Sequence, residues 1–121
     1  MFNVGSEYTR DDIHDRLGGS KQSYLPTTSG RVVAACVKLE MNRQAPKVII
    51  CGKGKVIASN GATLAAQHDP IPIFIKRGVN RWEYQGTFKV TATHTSGPQF
   101  ETLVAASERN PSDVSLAIEL S

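Results

Sequence analysis

Four apolar runs, none longer than nine residues, constrain this chain more than any other feature. They are Arg31–Leu39 (RVVAACVKL), Lys47–Cys51 (KVIIC), Ile71–Arg77 (IPIFIKR) and Val114–Leu120 (VSLAIEL). Each is rich in β-branched residues, which pack well on a pleated surface, so each reads as a buried strand. None approaches the roughly 18 residues of a membrane helix, and no membrane partner is expected. A further run, Arg81–Ala92 (RWEYQGTFKVTA), alternates as a strand and follows the turn Gly78-Val79-Asn80. With Ile71–Arg77 it predicts a hairpin, so at least part of the sheet is antiparallel. Pro72 lacks a ladder donor and points to an edge position or a strand start, and Gly86 points to a bulge.

Helices are fewer. Tyr8–Arg16 reads as one, with Thr9 as N-cap, Asp11 and Asp12 in the first turn, and Gly18-Gly19 as the stop. Ile57–Gln67 reads as the second, on apolar positions from Ile57 to Ala66, although it contains Gly61. Met41–Pro46 is expected to be a loop, Gly52-Lys53-Gly54 a turn, and the polar segment 94–112, with Pro98 and Pro111, a loop. The expected fold is α+β: a small curved, mainly antiparallel sheet or partly closed β-barrel with two short helices. A chain of 121 residues, 40% hydrophobic and 21% charged, suits one domain over 1–121 with a packed core.

The charge is unevenly placed. From Lys21 to Lys89 eleven lysines and arginines face three acids, a local excess of +8, while residues 1–20 carry −2 and residues 90–121 carry −3. A basic centre between acidic ends suits a polyanionic partner. Cys36 and Cys51 sit inside apolar runs and are expected as buried free thiols of a cytoplasmic protein. Met1–Gly5 has no basic region followed by an apolar stretch, so no secretory signal is expected.

Catalytic chemistry has little to stand on. His14, His68 and His94 lie in ordinary polar settings and read as solvated, and Asp11, Asp12 and Asp15 read as capping and surface charge. Gly52-Lys53-Gly54-Lys55 lacks the second spaced glycine followed by Lys-Ser/Thr that a phosphate loop needs. The cysteines and histidines have no zinc-site spacing. No catalytic residue, metal or cofactor is therefore assigned. The basic and aromatic residues are the better candidates. Trp82 and Tyr84, two apart on one strand, share a sheet face. Lys76, Arg77 and Arg81 flank the hairpin turn. Tyr24 sits in the polar loop with Lys21, Gln22 and Ser23, where it need not serve the core. Aromatic faces stack on bases and cations neutralise phosphates, so these nine residues are the expected nucleic-acid contacts, with Trp82 also a candidate for the core.

Several fragments carry a resemblance. They are Tyr8-Thr9-Arg10-Asp11-Asp12-Ile13-His14, Leu17-Gly18-Gly19, Ser23-Tyr24-Leu25-Pro26 and Gly30-Arg31-Val32-Val33. Asn42 with Ala45-Pro46, Ile71–Arg77, and Trp82-Glu83-Tyr84-Gln85-Gly86 continue the series. In this order they resemble a domain attached to McrA-like HNH endonucleases of modification-dependent restriction, related to SRA domains of the PUA-like superfamily. The resemblance spans Tyr8 to Val90. It implies a DNA-binding module that recognises a modified base by flipping it into a pocket, to which the Ser23–Pro26 loop and the Trp82–Tyr84 strand would contribute. The implied partner is modified duplex DNA, and the implied setting is defence against foreign DNA. No HNH nuclease follows: the last third has one histidine and no cysteine pair. Cleavage would need a nuclease on another chain. A non-catalytic interaction subunit recruiting a nuclease or toxin, an RNA-binding PUA-like protein and a small nucleotide-directed enzyme stay open as alternatives.

Overall fold

Side chains alternate across a pleated strand, yet the central strands of this protein are apolar on both sides. Each sheet must therefore be covered twice, and the computed structural model, which describes Met1–Ser121, shows how. The elements run β1 (Glu7–Tyr8), α1 (Arg10–Leu17), β2 (Thr27–Thr28), β3 (Arg31–Val32), β4 (Ala35–Val37), β5 (Val48–Gly52) and α2 (Lys55–Ala65). They continue with β6 (Ile71–Gly78), β7 (Arg81–Phe88), β8 (Val90–His94), α3 (Pro98–Ala106), a 3-10 turn at Pro111–Asp113 and β9 (Val114–Leu120). One sheet has the order β1-β7-β6-β4, antiparallel except that β4 runs parallel to β6. The other, β5-β9-β8, is antiparallel throughout, and β2 and β3 form a small ribbon. The sheets are not closed into a barrel.

The alternation sorts the core into three layers. Ile71, Ile73 and Ile75 of β6 face inward and meet Ile49, Cys51, Leu116, Ile118 and Leu120 of the second sheet. Phe74 and Cys36, between the inward positions, face outward and pack with Trp82 under Ile13 of α1. Val48, Ile50 and Ala117 face outward on the other side and are covered by Phe100, Leu103 and Val104 of α3. Helix, sheet, sheet, helix is the result, with Leu64 of α2 joining the central layer.

Local chemistry sets the details. Thr9 caps α1 in a reciprocal capping box with Asp12, and Gly18, at φ 82°, ends it with its N–H on the His14 carbonyl. Gly86, at φ 109°, sits beside a register shift in the β6–β7 hairpin, where a bulge is expected. Pro72 is the second residue of β6, an interior strand, so the strand-start reading holds and the edge reading does not. Gly61 is needed for close approach: a Cβ there would lie 2.7 Å from Cys51 Sγ and 3.0 Å from Cys51 Cβ. Gly61→Ala should therefore destabilise the fold by about 1–3 kcal/mol, although alanine favours a helix. Urea melts check this; unchanged stability would mean that α2 does not rest on Cys51.

Several boundaries differ from the sequence reading: Tyr8 lies in β1, so the first helix spans Arg10–Leu17, and the second helix ends at Ala65 rather than Gln67. Arg31–Leu39 is not one strand: β3 pairs with β2, and β4 pairs with β6. Between them the Val33 N–H turns to Pro26 O, while the Gln67 amide bonds both the N–H and the C=O of Val32 in place of a neighbouring strand. Arg81–Ala92 breaks at Lys89, where the chain passes from the first sheet to the second. The second helix begins two residues earlier than expected, at Lys55. Segment 94–112 is not a loop but contains α3, a third helix. Pro98 stands at its first turn, where a missing N–H costs nothing, so the proline starts this helix rather than breaking one. No helix of the protein is long and apolar enough to cross a membrane.

Candidate functional site

A cleft of about 630 Å³ lies where the two sheets fail to join, lined by residues from the edge strands β4 and β5. Its wall carries five cationic side chains, Arg10, Lys21, Lys38, Lys76 and Arg109, and no carboxylate. Tyr24 and Trp82 supply aromatic surface, and Asn42 and Asn60 supply amides. Met41, Val56 and Ile57, all exposed, give it an apolar lip. A smaller groove of about 330 Å³, which includes Arg77 and Glu40, shares Lys38 and Lys76 with the cleft.

Arg10 builds one wall. It is buried, and its Nη2 donates to the carbonyls of Ser20 (2.7 Å) and Ser23 (2.9 Å). The loop that carries Lys21, Gln22, Ser23 and Tyr24 is thereby tied to α1 and turned into the cleft. The same guanidinium lies 5.2 Å from the Trp82 ring centroid, and Lys76 Nζ lies 5.8 Å from it. Cation–π attraction holds both charges against the indole.

Tyr24 corrects an expectation. It is half-buried against the central core rather than free in a loop, and its hydroxyl donates to Ile57 O at 2.7 Å. Burial raises its pKa well above the ordinary phenol value, and the adjacent Cys51 thiol adds to the rise. Burial likewise pushes Cys51 up to about 11 and Cys36 up to about 12, so both free thiols stay protonated at neutral pH. Trp82, only 6% exposed, belongs to the core as well as to the cleft.

The nine residues expected to touch nucleic acid separate into two groups. Lys21, Gln22, Ser23, Tyr24, Lys76 and Trp82 converge on the cleft, whereas Arg77, Arg81 and Tyr84 lie outside it. Tyr84 shares the face of Trp82 but packs on Phe2 and Phe74 at ring distances of 5.5 and 5.2 Å. Arg77 and Arg81 pair with Glu83 (2.6 Å) and Glu7 (3.5 Å). Much of the central basic excess is spent in this way: Lys21 pairs with Asp11, Arg31 with Asp69 and Arg43 with Glu108. Lys38 and Lys76 have no carboxylate partner. Lys38, Asn42, Asn60 and Arg109 were not singled out as site residues from sequence, because nothing local marks them.

Other chemistry is sparse. No three His, Cys, Asp or Glu side chains cluster as metal ligands. His68 is exposed, as expected of a solvated residue. His14 and His94 are half-buried instead, with ring nitrogens 2.6 Å from Gly19 O and 2.7 Å from Glu119 Oε2.

No curated protein and no solved structure matches the chain. Residues 7–110 match the family described as Domain of unknown function (DUF6697), and the chain belongs to that family.

Proposed function

We propose that this protein is a non-catalytic module that binds duplex DNA and takes one modified base, extruded from the stack, into the cleft between β4 and β5. The observation that carries the reading is the cleft wall itself: five cations, two aromatic side chains and no carboxylate. Extruding a base costs a few kcal/mol in stacking and pairing. Contact with an aromatic face returns roughly 1–3 kcal/mol, and Lys/Arg contacts to the flanking phosphates add affinity without regard to sequence. The neighbouring groove, where Lys38, Lys76 and Arg77 outnumber the one carboxylate, Glu40, offers a path for the phosphate backbone away from the extruded nucleotide. The resemblance to SRA-like domains of modification-dependent restriction agrees with this reading and supplies its setting, defence against foreign DNA.

The test separates cleft cations from paired ones. Lys38→Ala combined with Lys76→Ala should weaken duplex binding by about tenfold or more, whatever the sequence. Arg81→Ala, outside the cleft and paired to Glu7, should change it less than about threefold, as expected for an exposed ion-paired residue. Fluorescence anisotropy at fixed salt reads both. Equal losses from the two variants would place binding elsewhere on the surface. A panel of unmodified, methylated, hydroxymethylated and phosphorothioate duplexes then identifies the modification.

A further inference from the structure

Asn42 is the least exposed polar side chain on the cleft wall, at 4%. Its amide can stand only one way. The side-chain oxygen accepts the backbone N–H of Ile50 at 2.7 Å. A backbone N–H only donates, so the atom that faces it must be oxygen, and the NH2 group must point away. The backbone holds the residue in place as well, with the Asn42 N–H on Lys38 O at 2.8 Å and the Ala45 N–H on Asn42 O at 3.1 Å. The Asn42 NH2 group makes no hydrogen bond within the protein. The fully enclosed side-chain nitrogens without a partner are Arg10 Nε and Trp82 Nε1. The free NH2 of Asn42, a residue of the cleft wall, is therefore not sealed off and opens onto the cleft as a fixed donor.

A base enters a cleft with its glycosidic bond trailing, because sugar and phosphates stay with the strand at the cationic mouth. The edge opposite that bond leads. In pyrimidines this edge carries the C4 substituent and in purines the C6 substituent. That substituent is an oxygen in thymine, uracil and guanine, and an amino group in cytosine and adenine.

We propose that Asn42 determines which base the cleft accepts, its NH2 group donating to the exocyclic oxygen on the leading edge. Thymine, uracil, guanine and their ring-modified forms are the ligand class. Cytosine and adenine are rejected because their amino group would face a second donor and leave both unpaired. The inference rests on the cleft being a base pocket. Asn42 acts by hydrogen bonding alone.

The experiment uses the full chain and four duplexes that differ at one central position, thymine, guanine, cytosine or adenine. The position lies opposite an abasic site, so that extrusion costs little. Thymine and guanine should bind at least about tenfold more tightly than cytosine and adenine. Asn42→Asp keeps an oxygen for the Ile50 N–H but replaces the donor with an acceptor. It should weaken all four complexes and reverse their order, a change that a merely structural role would not produce. Salt-sensitive binding with equal affinity for all four duplexes overturns the role of Asn42 and leaves the cleft reading standing. Absence of binding to any of them overturns both. An Asn42→Asp protein that folds, by its melting curve, and keeps the wild-type order also overturns the role. Should that variant not fold, the wild-type order among the four duplexes decides alone.

Discussion

Raising the salt from 50 to 200 mM should weaken duplex binding by roughly 40- to 150-fold, because each phosphate neutralised contributes a slope of about 0.9 in log affinity against log salt. Three or four engaged phosphates give that range. The number comes from the cleft rather than from the net charge. Lys38 and Lys76 are unpaired, Arg109 spends a donor on Met41 O but keeps its charge, and Lys21 is held by an exposed pair with Asp11 that a phosphate can displace. Arg10 is excluded, since its guanidinium is buried and committed to the Ser20 and Ser23 carbonyls. Had all of the +8 excess of the central segment been available, the same rise in salt would cost about 10⁴-fold. Anisotropy titrations at four salt concentrations distinguish the two. A slope near seven would mean that the whole basic segment lies on DNA and that the ion pairs open. A flat response would remove nucleic acid as the partner.

Trp82→Ala should cost about 3–5 kcal/mol of stability, more than the Gly61→Ala change. The indole is 6% exposed and packs with Ile13, Ala34, Cys36 and Phe74, so truncation leaves a cavity beneath α1. It also removes the surface against which Arg10 and Lys76 rest. The loop tied to Arg10 should then loosen, and binding should fall together with stability. For a domain whose total is about 5–15 kcal/mol, such a loss leaves little margin. Trp82→Phe retains most of the packing and should stay folded, with a smaller loss. Urea melts of the two variants check the ranking. A cost under about 1 kcal/mol for Trp82→Ala would show that the indole is not packed as described.

Tyr24 shows where local reading stops. In the sequence it stands among Lys21, Gln22 and Ser23, with no apolar neighbour before Leu25, and a loop side chain free for a ligand is a fair inference. Its burial comes from residues far along the chain: Ile57, whose carbonyl takes its hydroxyl, and Cys51, whose thiol lies beside it. Helix α3 was missed for a related reason. Its apolar stripe is Phe100, Leu103 and Val104 among polar residues, too short to outweigh two prolines read as breaks. Arg10 looks like any arginine at a helix start until the Ser20 and Ser23 carbonyls close on it.

Where the signal was local, the sequence by itself was sufficient. The Thr9 cap and Gly18 stop, the Gly78–Asn80 hairpin turn, the Gly86 bulge, the terminal strand Val114–Leu120 and the burial of both cysteines follow from backbone sterics, side-chain hydrogen bonding and apolar periodicity within a few residues. Together these determined an α+β fold built mainly on antiparallel strands. Three matters were decided by tertiary structure. One is that a single alternating run is shared between two sheets, as at Lys89, because strand partners lie far away in sequence. Another is which cations remain free, because Arg81 finds Glu7 and Arg43 finds Glu108 only after folding. The last is the cleft. It exists because β4 and β5 end their sheets without pairing, and it gains a fixed donor because the Ile50 N–H of β5 finds Asn42 across the turn instead of a neighbouring strand.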